Sequence, residues 1–444
     1  MNNESRITDI VDFNSPRKLK KGQIAPFIDM AALSTNERDI VEITEKAFTG
    51  GAKFRNGDTL FARITPCLEN GKTGKVSNLS DESIGHGSTE FIVMTAKDPK
   101  IDEDYVYYLA RLPEFRKFAQ MRMTGTSGRQ RVSWQDLAEF TFAFPEPEKR
   151  KAAGAFLKTL DDKILLNTQT NQTLEQIAQA IYKSWFVEYE PTRAKAAVLA
   201  AGGSKADAES AAMTTISGKS AAELATLKQQ QPARYQQLAD LAAAFPAALV
   251  PADDFGEIPA GWEISTIGES YSVVMGQSPN GETYNEEGQG TLFYQGRAEF
   301  GERFPRPRLY TTAPKRMAQK GDVMMSVRAP VGDLNVALED CCIGRGLAAL
   351  HHKSGSFSFG LYQIQSLKPV LDLFNGEGTV FGSINQKDLK AINVLQPTNT
   401  IISLFNDRCL SIDEQIQNNT RQNILLSETR DIMLPKLLNG DIEA

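Results

Sequence analysis

Two stretches of the chain share one pattern of apolar and polar positions. In residues 156–186 and in residues 409–438, one set of positions recurs at alternating steps of three and four residues and forms a seam along one side of a helix. The central seam positions are Leu160, Ile164, Asn167, Asn171 and Leu174 in the first stretch, and Ile412, Ile416, Asn419, Asn423 and Leu426 in the second. A heptad seam this narrow needs a partner helix, so we expect the two stretches to be helices that pair with each other.

The asparagines in the two seams coincide under a shift of 252 residues. A polar seam residue costs stability but specifies register and partner choice, so the pairing is expected to be selected for alignment. The alternative is that each stretch is an ordinary amphipathic helix on its own globular core. The repetition of the whole pattern favours pairing.

The remaining sequence predicts two modules of one kind. Residues 1–147 alternate short β-branched or aromatic runs with turns and contain one helical stretch, DEDYVYYLARLPEFRKFAQ, which is an α+β pattern. Residues 255–398 repeat that pattern. The predicted order is module 1–147, helix 148–190, an Ala-rich helical insertion or linker 191–254, module 255–398 and helix 399–444.

Short motifs align the two modules. GDTLFARITP at 57–66 matches GDVMMSVRAP at 321–330 with a shift of 264, and Pro145 matches Pro397 with a shift of 252. Ile84-Gly85-His86-Gly87 is aligned with Ile343-Gly344-Arg345-Gly346, a shift of 259. Changing shifts mean loops of unequal length between matching strands, so the modules are expected to recognise related but different targets.

Composition narrows the class of protein. A chain of 444 residues suits two or three domains, and its net charge of -6 argues against a general nucleic-acid coat while allowing local basic surfaces. The 4 cysteines lack CxxC spacing, which favours a cytoplasmic protein, and with 3 histidines no metal site is expected. No apolar run reaches the roughly 20 residues of a membrane span, and no signal-peptide pattern is found.

Catalytic motifs are not found in the sequence. Gly71-Lys72-Thr73 resembles the end of a phosphate-binding loop, but Pro66 stands where that loop requires glycine. GxSxG, HExxH and the Asn/Asp-Pro-Pro-Tyr/Phe signature of amino-methyltransferases are missing. We therefore expect no catalytic residues, and the competing hypothesis, a fused nuclease or methyltransferase, predicts activity from the purified chain alone.

Residues suited to DNA recognition stand in glycine-containing turns of both modules. Arg, Lys, Asn, Gln and Ser read base edges, Lys and Arg hold phosphates, and glycine permits close backbone approach. The candidates in the first module are Arg63, Lys72, Lys75, His86, Arg129, Gln130 and Arg131. The candidates in the second are Gln277, Ser278, Gln295, Arg297, Arg303, Arg306, Arg308, Arg328, Arg345 and Asn385. For any one of them, solvation of a surface charge is an equally good explanation.

The modules are close to electroneutral, so either alone is expected to bind duplex DNA weakly, because phosphate contacts supply most of the affinity. A partner that adds positive charge is therefore expected.

At this point the sequence resembles a known family. The residues that carry the resemblance are GHGSTEF (85–91), LDDKILLN and LEQIAQAIYKSWFVEYEP within 160–191, FGEIPAGWE (255–263), GQSP (276–279), GDVMMSVRAPVGD (321–333), CIGRG (342–346) and MLPKLLNGDI (433–442). In this order, and with the duplication, they resemble the specificity (S) subunit of type I restriction-modification systems. The Ala-rich segment is longer than the connector usual in that family.

The resemblance implies two target-recognition domains that read a bipartite, asymmetric double-stranded DNA target. It implies that the two long helices form an antiparallel coiled coil whose length sets the half-site spacing. It implies assembly with two modification subunits, which bind S-adenosylmethionine and methylate adenine, and with restriction subunits that use ATP and Mg. The chain itself would be non-catalytic, with no cofactor or metal of its own and no membrane partner.

A structural alternative remains open. A coiled-coil adaptor or DNA-binding protein without restriction-modification partners would carry the same seams. If the seams paired between chains, the protein would be a dimer, whereas pairing within one chain predicts a monomer of 48.9 kDa.

Overall fold

A computed structural model describes residues 4–126, 128–253, 255–376 and 382–443. The chain forms two compact units. One comprises Met1–Gln169 with Asn419–Ala444, and the other comprises Thr170–Asn418. Each unit holds one sheet-rich module and a part of both long helices.

The first module consists of short strands and short helices. Its strands are Ser5–Arg6 (β1), Val11–Phe13 (β2), Ile24–Ile28 (β3), Thr44–Ala47 (β4), Ala52–Phe54 (β5), Thr59–Ala62 (β6), Thr73–Lys75 (β7), Gly85–Gly87 (β8), Phe91–Ala96 (β9) and Thr141–Phe142 (β10). Its α-helices are Pro99–Arg111 (α1), Pro113–Met121 (α2) and Trp134–Leu137 (α3), and Ile7–Asp9 forms a 3-10 turn.

The first long helix and the helices of the central segment follow. The long helix is Pro147–Phe186 (α4) and the central helices are Glu190–Ala200 (α5), Lys205–Ser217 (α6), Ala221–Gln230 (α7) and Pro232–Ala244 (α8). The central helices share a small core of Ala212, Met213, Leu224, Leu227 and Ala242. The buried ammonium of Lys195 donates to the carbonyls of Ala242 and Phe245, both at 2.7 Å.

The second module again consists of short strands and helices, and the second long helix follows it. Its strands are Leu249–Ala252 (β11), Gly256–Pro259 (β12), Glu263–Thr266 (β13), Tyr271–Met275 (β14), Tyr284–Asn285 (β15), Thr291–Tyr294 (β16), Tyr310–Thr311 (β17), Met317–Ala318 (β18), Val323–Ser326 (β19), Leu334–Val336 (β20), Cys341–Ile343 (β21), Leu347–His352 (β22) and Asn393–Gln396 (β23). Its helices are Ile267–Ser270 (α9), Phe357–Ser366 (α10), Lys368–Asp372 (α11) and Gln386–Ala391 (α12), with 3-10 turns at Gly281–Thr283, Arg297–Glu299 and Leu373–Asn375. The second long helix is Asn399–Leu438 (α13).

The sheets of the two modules share one strand order, with β15 added at one edge of a sheet in the second module. The first module has sheets of order β2-β9-β6-β7 and β4-β3-β8-β5, and the second has β14-β22-β19-β20 and β15-β17-β16-β21-β18. The position of β9 explains why its sequence, FIVMTA, is almost continuously apolar. Phe91 and Val93 lie in one core and Ile92 and Met94 in another, so both faces of the strand are buried.

The strand register repeats as well. Leu60 on β6 pairs with Val93 on β9, and Met324 on β19 pairs with Ala349 on β22. The step from Leu60 to Met324 is the predicted shift of 264, while the step from Val93 to Ala349 is 256. The α+β duplication expected from the sequence is therefore confirmed in the hydrogen-bond pattern.

The register corrects one alignment made from short motifs. His86 pairs with Phe27 on β3, and Cys342 pairs with Phe293 on β16. The structural equivalent of His86 is therefore Cys342, a shift of 256 rather than 259, and Arg345 is equivalent to Thr89. Two similar Ile-Gly-x-Gly tetrapeptides misled the alignment because strand register is set by long-range hydrogen bonds rather than by local likeness.

The long helices pair in opposite directions within each unit. In the unit of 1–169 and 419–444, Leu157 shares a core with Leu434 and Leu437, and Asn167 further along α4 bonds Asn423 earlier in α13. In the unit of 170–418, Asn171 bonds Ile416, and Trp185 further along α4 packs on Phe405 earlier in α13. In both units, residues later in α4 thus contact residues earlier in α13, which confirms the antiparallel pairing.

Candidate DNA interface

Three backbone segments of the second module meet in what we call the second loop cluster, Gly276–Ser278, Gln295–Gly296 and Gly344–Gly346. The Gln277 amide donates to the Ile343 carbonyl at 2.9 Å, and the Gly344 amide donates to the Tyr294 carbonyl at 2.8 Å. A Cβ placed on Gly276 would lie 2.1 Å from the Gly344 oxygen. Glycine is required there because any side chain would push the segments apart.

The second loop cluster presents polar side chains at the surface. Gln277, Gln295 and Arg345 are exposed, and Ser278 is half-buried with its hydroxyl accepting the Arg345 amide at 3.3 Å. Arg328 is exposed next to the cluster, because the preceding Val327 amide donates to the Gly346 carbonyl at 2.9 Å. The structure therefore brings together five of the residues predicted from sequence.

Asn385 has a different role. It is the N-cap of α12, with its side chain accepting the Asp388 amide at 3.0 Å and donating to the Asp388 carboxylate at 2.7 Å. Capping satisfies a helix amide that would otherwise lack a partner. The side chain is exposed but already occupied.

The arginines of residues 297–308 differ in their partners. Arg297 is paired with Asp333, and Arg308 with Glu286 at 3.0 Å and Glu299 at 2.6 Å. The hydrogen bond to Glu299 raises the pKa of Arg308. Arg306 is exposed and forms no ion pair with the described residues, so it is the most available cation of this segment.

Arg303 is buried and anchors this segment to both long helices. Its guanidinium lies 2.8 Å from Asp413 on α13 and 3.4 Å from Glu175 on α4, and donates to the Tyr362 hydroxyl at 3.0 Å. Burial acts to lower the pKa of Arg303, but Tyr362, Asp413 and Glu175 together raise it, so it stays charged. The sequence placed Arg303 among base-reading candidates, whereas its geometry is that of a positioning residue.

In the first module, the segment Arg63–Thr65 lies against Arg129–Arg131. The Thr65 amide donates to the Gln130 carbonyl at 3.1 Å, and the Val132 amide donates to the Arg63 carbonyl at 3.0 Å. Arg129 is exposed, whereas Arg63 and Gln130 are half-buried. These predicted residues form a first loop cluster at one site.

Arg131 of the first loop cluster is engaged with a carboxylate. Its guanidinium donates to both oxygens of Glu90, the shortest contact being 2.7 Å. That hydrogen bonding raises the pKa of Arg131. A phosphate or base that bound Arg131 would have to compete with Glu90, which weakens any such contact.

Two of the predicted residues are buried inside the first module. Lys75 is 5 % exposed and its ammonium pairs with Asp104 and with Glu103, the latter at 3.0 Å. His86 is 2 % exposed, and its Nε2 is 3.0 Å from the Lys46 carbonyl. Neither side chain reaches the surface, so we leave both out of the proposed contacts. Lys72 is half-buried and donates to the Met30 carbonyl at 3.0 Å.

The seam asparagines form hydrogen bonds across the helix pair. Asn167 donates to the Asn423 side chain at 2.8 Å, and Asn423 donates to the Ile164 carbonyl at 3.4 Å. In the other unit, Asn171 donates to the Ile416 carbonyl at 3.5 Å, which is the same contact shifted by 252 residues. The other predicted seam residues are buried or half-buried: Leu160, Leu174, Ile412, Asn419 and Leu426.

Sequence reasoning missed the charged group that accompanies the seam. Asp161 on α4 accepts from Arg430 on α13 at 2.7 Å and from the Tyr108 hydroxyl at 2.6 Å. The alternating steps of the second stretch reach Arg430, but nothing in the local sequence connects it with Asp161 or Tyr108. The repeated Asp161 and Asp413 were the available signal, because each binds a buried arginine.

The described part of the chain holds no group of three or more His, Cys, Asp or Glu side chains arranged to bind a metal ion. None of the described helices is both long enough and apolar enough to cross a membrane.

Comparison with known proteins agrees with this architecture. Residues 2–176 match the family described as type I restriction modification DNA specificity domain. The type I restriction enzyme HindI specificity subunit of Haemophilus influenzae is 31% identical over 435 residues, covering 94% of each chain. The type I restriction enzyme MjaIX specificity subunit of Methanocaldococcus jannaschii is 21% identical and covers 78% of this chain and 70% of its own.

Among solved structures, the S subunit of a type I restriction-modification system from M. genitalium superposes with a TM-score of 0.52 at 14% identity, covering 98% of this chain and 96% of its own. That likeness concerns the fold: two sheet-rich modules with the long helices packed together. The near full-length relationship to HindI decides the family. The chain belongs to the type I restriction-modification specificity subunits, which are non-catalytic, bind no cofactor themselves and recognise the DNA target of their complex.

Proposed function

We propose that the chain reads a bipartite DNA target, with one half-site recognised by each module. The observation that carries this proposal is the repeated strand register with unlike exposed side chains. Leu60–Val93 and Met324–Ala349 are equivalent pairs, so the scaffold is the same. The exposed side chains at equivalent places differ, because Arg345 of the second module stands where the first module has Thr89.

The helix pair then sets the spacing between the half-sites. Support comes from the seam, where Asn423 meets the Ile164 carbonyl and Asn171 meets the Ile416 carbonyl. An amide that bonds a particular carbonyl has one favoured alignment, and a shifted helix would bury it without that partner. An apolar seam would tolerate such a shift more easily.

The chain works with two modification subunits, which bind S-adenosylmethionine and methylate adenine, and with restriction subunits that use ATP and Mg. Support comes from charge, since a chain of net charge -6 has little affinity for phosphates of its own. We propose that the complex acts in the cytoplasm, and the free thiols of Cys67, Cys341, Cys342 and Cys409 support this.

Co-expression with a type I modification subunit tests the proposal. Mapping of methylated adenines should give two short sequence elements separated by a fixed number of base pairs. Exchange of residues 255–398 for the second module of another specificity subunit should change one element and preserve the other. An unchanged methylation pattern after the exchange, or methylation by the purified chain alone, would refute it.

A further inference from the structure

The corrected register identifies positions in the first module that correspond to the second loop cluster. Ile28 pairs with Gly87 between parallel strands β3 and β8, as Tyr294 pairs with Ile343 between β16 and β21. Asp29 directly follows Ile28, just as Gln295 follows Tyr294. Thr89 stands two residues after Gly87, just as Arg345 stands two residues after Ile343.

The equivalence holds across the whole turn. Gly87 and Ile343 differ by 256 residues, and so do Phe91 and Leu347 at the start of the next strand. The turns between them therefore have equal length, and no insertion displaces Thr89 from the position of Arg345. A Cβ on Gly87 would lie 2.6 Å from the Ile28 oxygen, and one position further along the second turn a Cβ on Gly344 would lie 2.7 Å from the Gln295 oxygen. Both modules use glycine to bring the two strand ends together.

Parallel neighbouring strands end at the same edge of a sheet, so the residues that follow them lie side by side. Asp29 and Thr89 are both exposed. One carboxylate oxygen of Asp29 accepts the Ala31 amide at 2.9 Å, which orients the side chain and leaves the other oxygen for a ligand. His86, which the motif alignment had favoured, is enclosed between the Phe27 and Phe48 rings.

We propose that Asp29 and Thr89 are specificity-determining residues of the first module, an inference that rests on the proposed function. Carboxylates accept from the exocyclic amino group of cytosine, and the threonine methyl group contacts that of thymine. Gln295 and Arg345 at the equivalent places suit adenine and guanine. The same two scaffold positions thus carry an acceptor and a methyl group in one module, and an amide and a guanidinium in the other.

The test uses the complex of this chain with a type I modification subunit, with methylated adenines mapped on a randomised plasmid library. Asp29→Asn keeps the oxygen that accepts the Ala31 amide but replaces the free acceptor by a donor. It should reduce discrimination at one base pair of one half-site by roughly tenfold to a hundredfold. Thr89→Arg, which introduces the side chain found at position 345, should change the preferred base in that same half-site.

Thr141→Arg is the matched control, since it adds the same charge to an exposed threonine on β10, outside the loop clusters. It should leave both half-sites unchanged. Arg345→Thr separates the inference from the proposed function, because it should alter the other half-site only. If Arg345→Thr does so while Asp29→Asn and Thr89→Arg leave base preference unaltered, the inference is overturned and bipartite recognition stands.

If Arg345→Thr also leaves every preference unchanged, both the inference and the proposed function fail. Assembly of each variant is checked by the mass of the complex. If Thr89→Arg does not assemble, Asp29→Asn decides the matter by itself, since it keeps the size and the turn hydrogen bond of the native residue.

Discussion

Arg430 on α13 donates a hydrogen bond to Asp161 on α4, with 2.7 Å between the guanidinium nitrogen and the carboxylate oxygen. Both side chains are nearly inaccessible, at 3% and 4% exposure. Burial and the Asp161 carboxylate raise the pKa of Tyr108, so its hydroxyl remains a donor to the same carboxylate. The two long helices and the first module are therefore joined at the buried carboxylate of Asp161.

Removing the cation of this pair should be strongly destabilising. Arg430→Met leaves the Asp161 carboxylate buried with the Tyr108 hydroxyl, and the expected loss in free energy of unfolding is about 3–5 kcal/mol. Denaturant unfolding of the purified chain measures it. Lys205→Ala removes a pair whose lysine is 89% exposed and should cost less than about 1 kcal/mol. Equal effects from the two substitutions would contradict a structural role for the buried pair.

The seam asparagine should influence alignment more than stability. Asn171→Leu replaces a buried amide, bonded to the Ile416 carbonyl at 3.5 Å, by an apolar side chain. We expect an unchanged or higher unfolding midpoint together with methylation of targets whose half-site spacing differs from the native one. Gln176→Leu, on the exposed face of α4, should leave spacing unaltered. Native spacing in the Asn171→Leu complex would refute the register role.

His352 should make the second module sensitive to acid. Burial lowers the pKa of His352 to about 4, from an ordinary value near 6.5. Between these values the unfolded chain binds a proton that the folded chain does not, so stability decreases as pH falls through this window. Above about pH 6.5 the imidazole is neutral in both states and contributes no pH dependence.

The full loss on going from about pH 6.5 to below pH 4 is about 3 kcal/mol. His352→Leu should flatten the stability of the purified chain over that pH range, because leucine does not titrate. Unfolding midpoints measured at closely spaced pH values check this, and an equally steep decline in the variant would count against His352 as its source.

Arg306 and Arg308 should differ in their contribution to DNA affinity. Arg306 is exposed without an ion pair among the described residues, whereas Arg308 is held by Glu286 and Glu299. Arg306→Gln should lower affinity for all sequences alike and reduce the slope of log affinity against log salt by about 0.9, the value of one phosphate contact. Arg308→Gln should change the slope less. Binding of the assembled complex to labelled duplex at several salt concentrations distinguishes them.

The repeated elements follow from the sequence alone. Heptad spacing predicted both long helices, and α4 and α13 begin and end at residues that differ by 252, the shift read from the asparagines. The 264-residue shift of the GDTLFARITP strand also appears in the sheet register. These features are local, since periodicity and turn chemistry act over a few neighbouring residues.

Which charged side chains are engaged in ion pairs became known from the three-dimensional structure. Lys75 and Arg131 look equally suited to DNA in the sequence, yet Asp104 and Glu90, remote along the chain, bind them. The structure also shows that Thr89 rather than His86 stands at the place of Arg345. Ion pairs and strand register depend on contacts between residues distant in sequence, and no local pattern specifies those contacts.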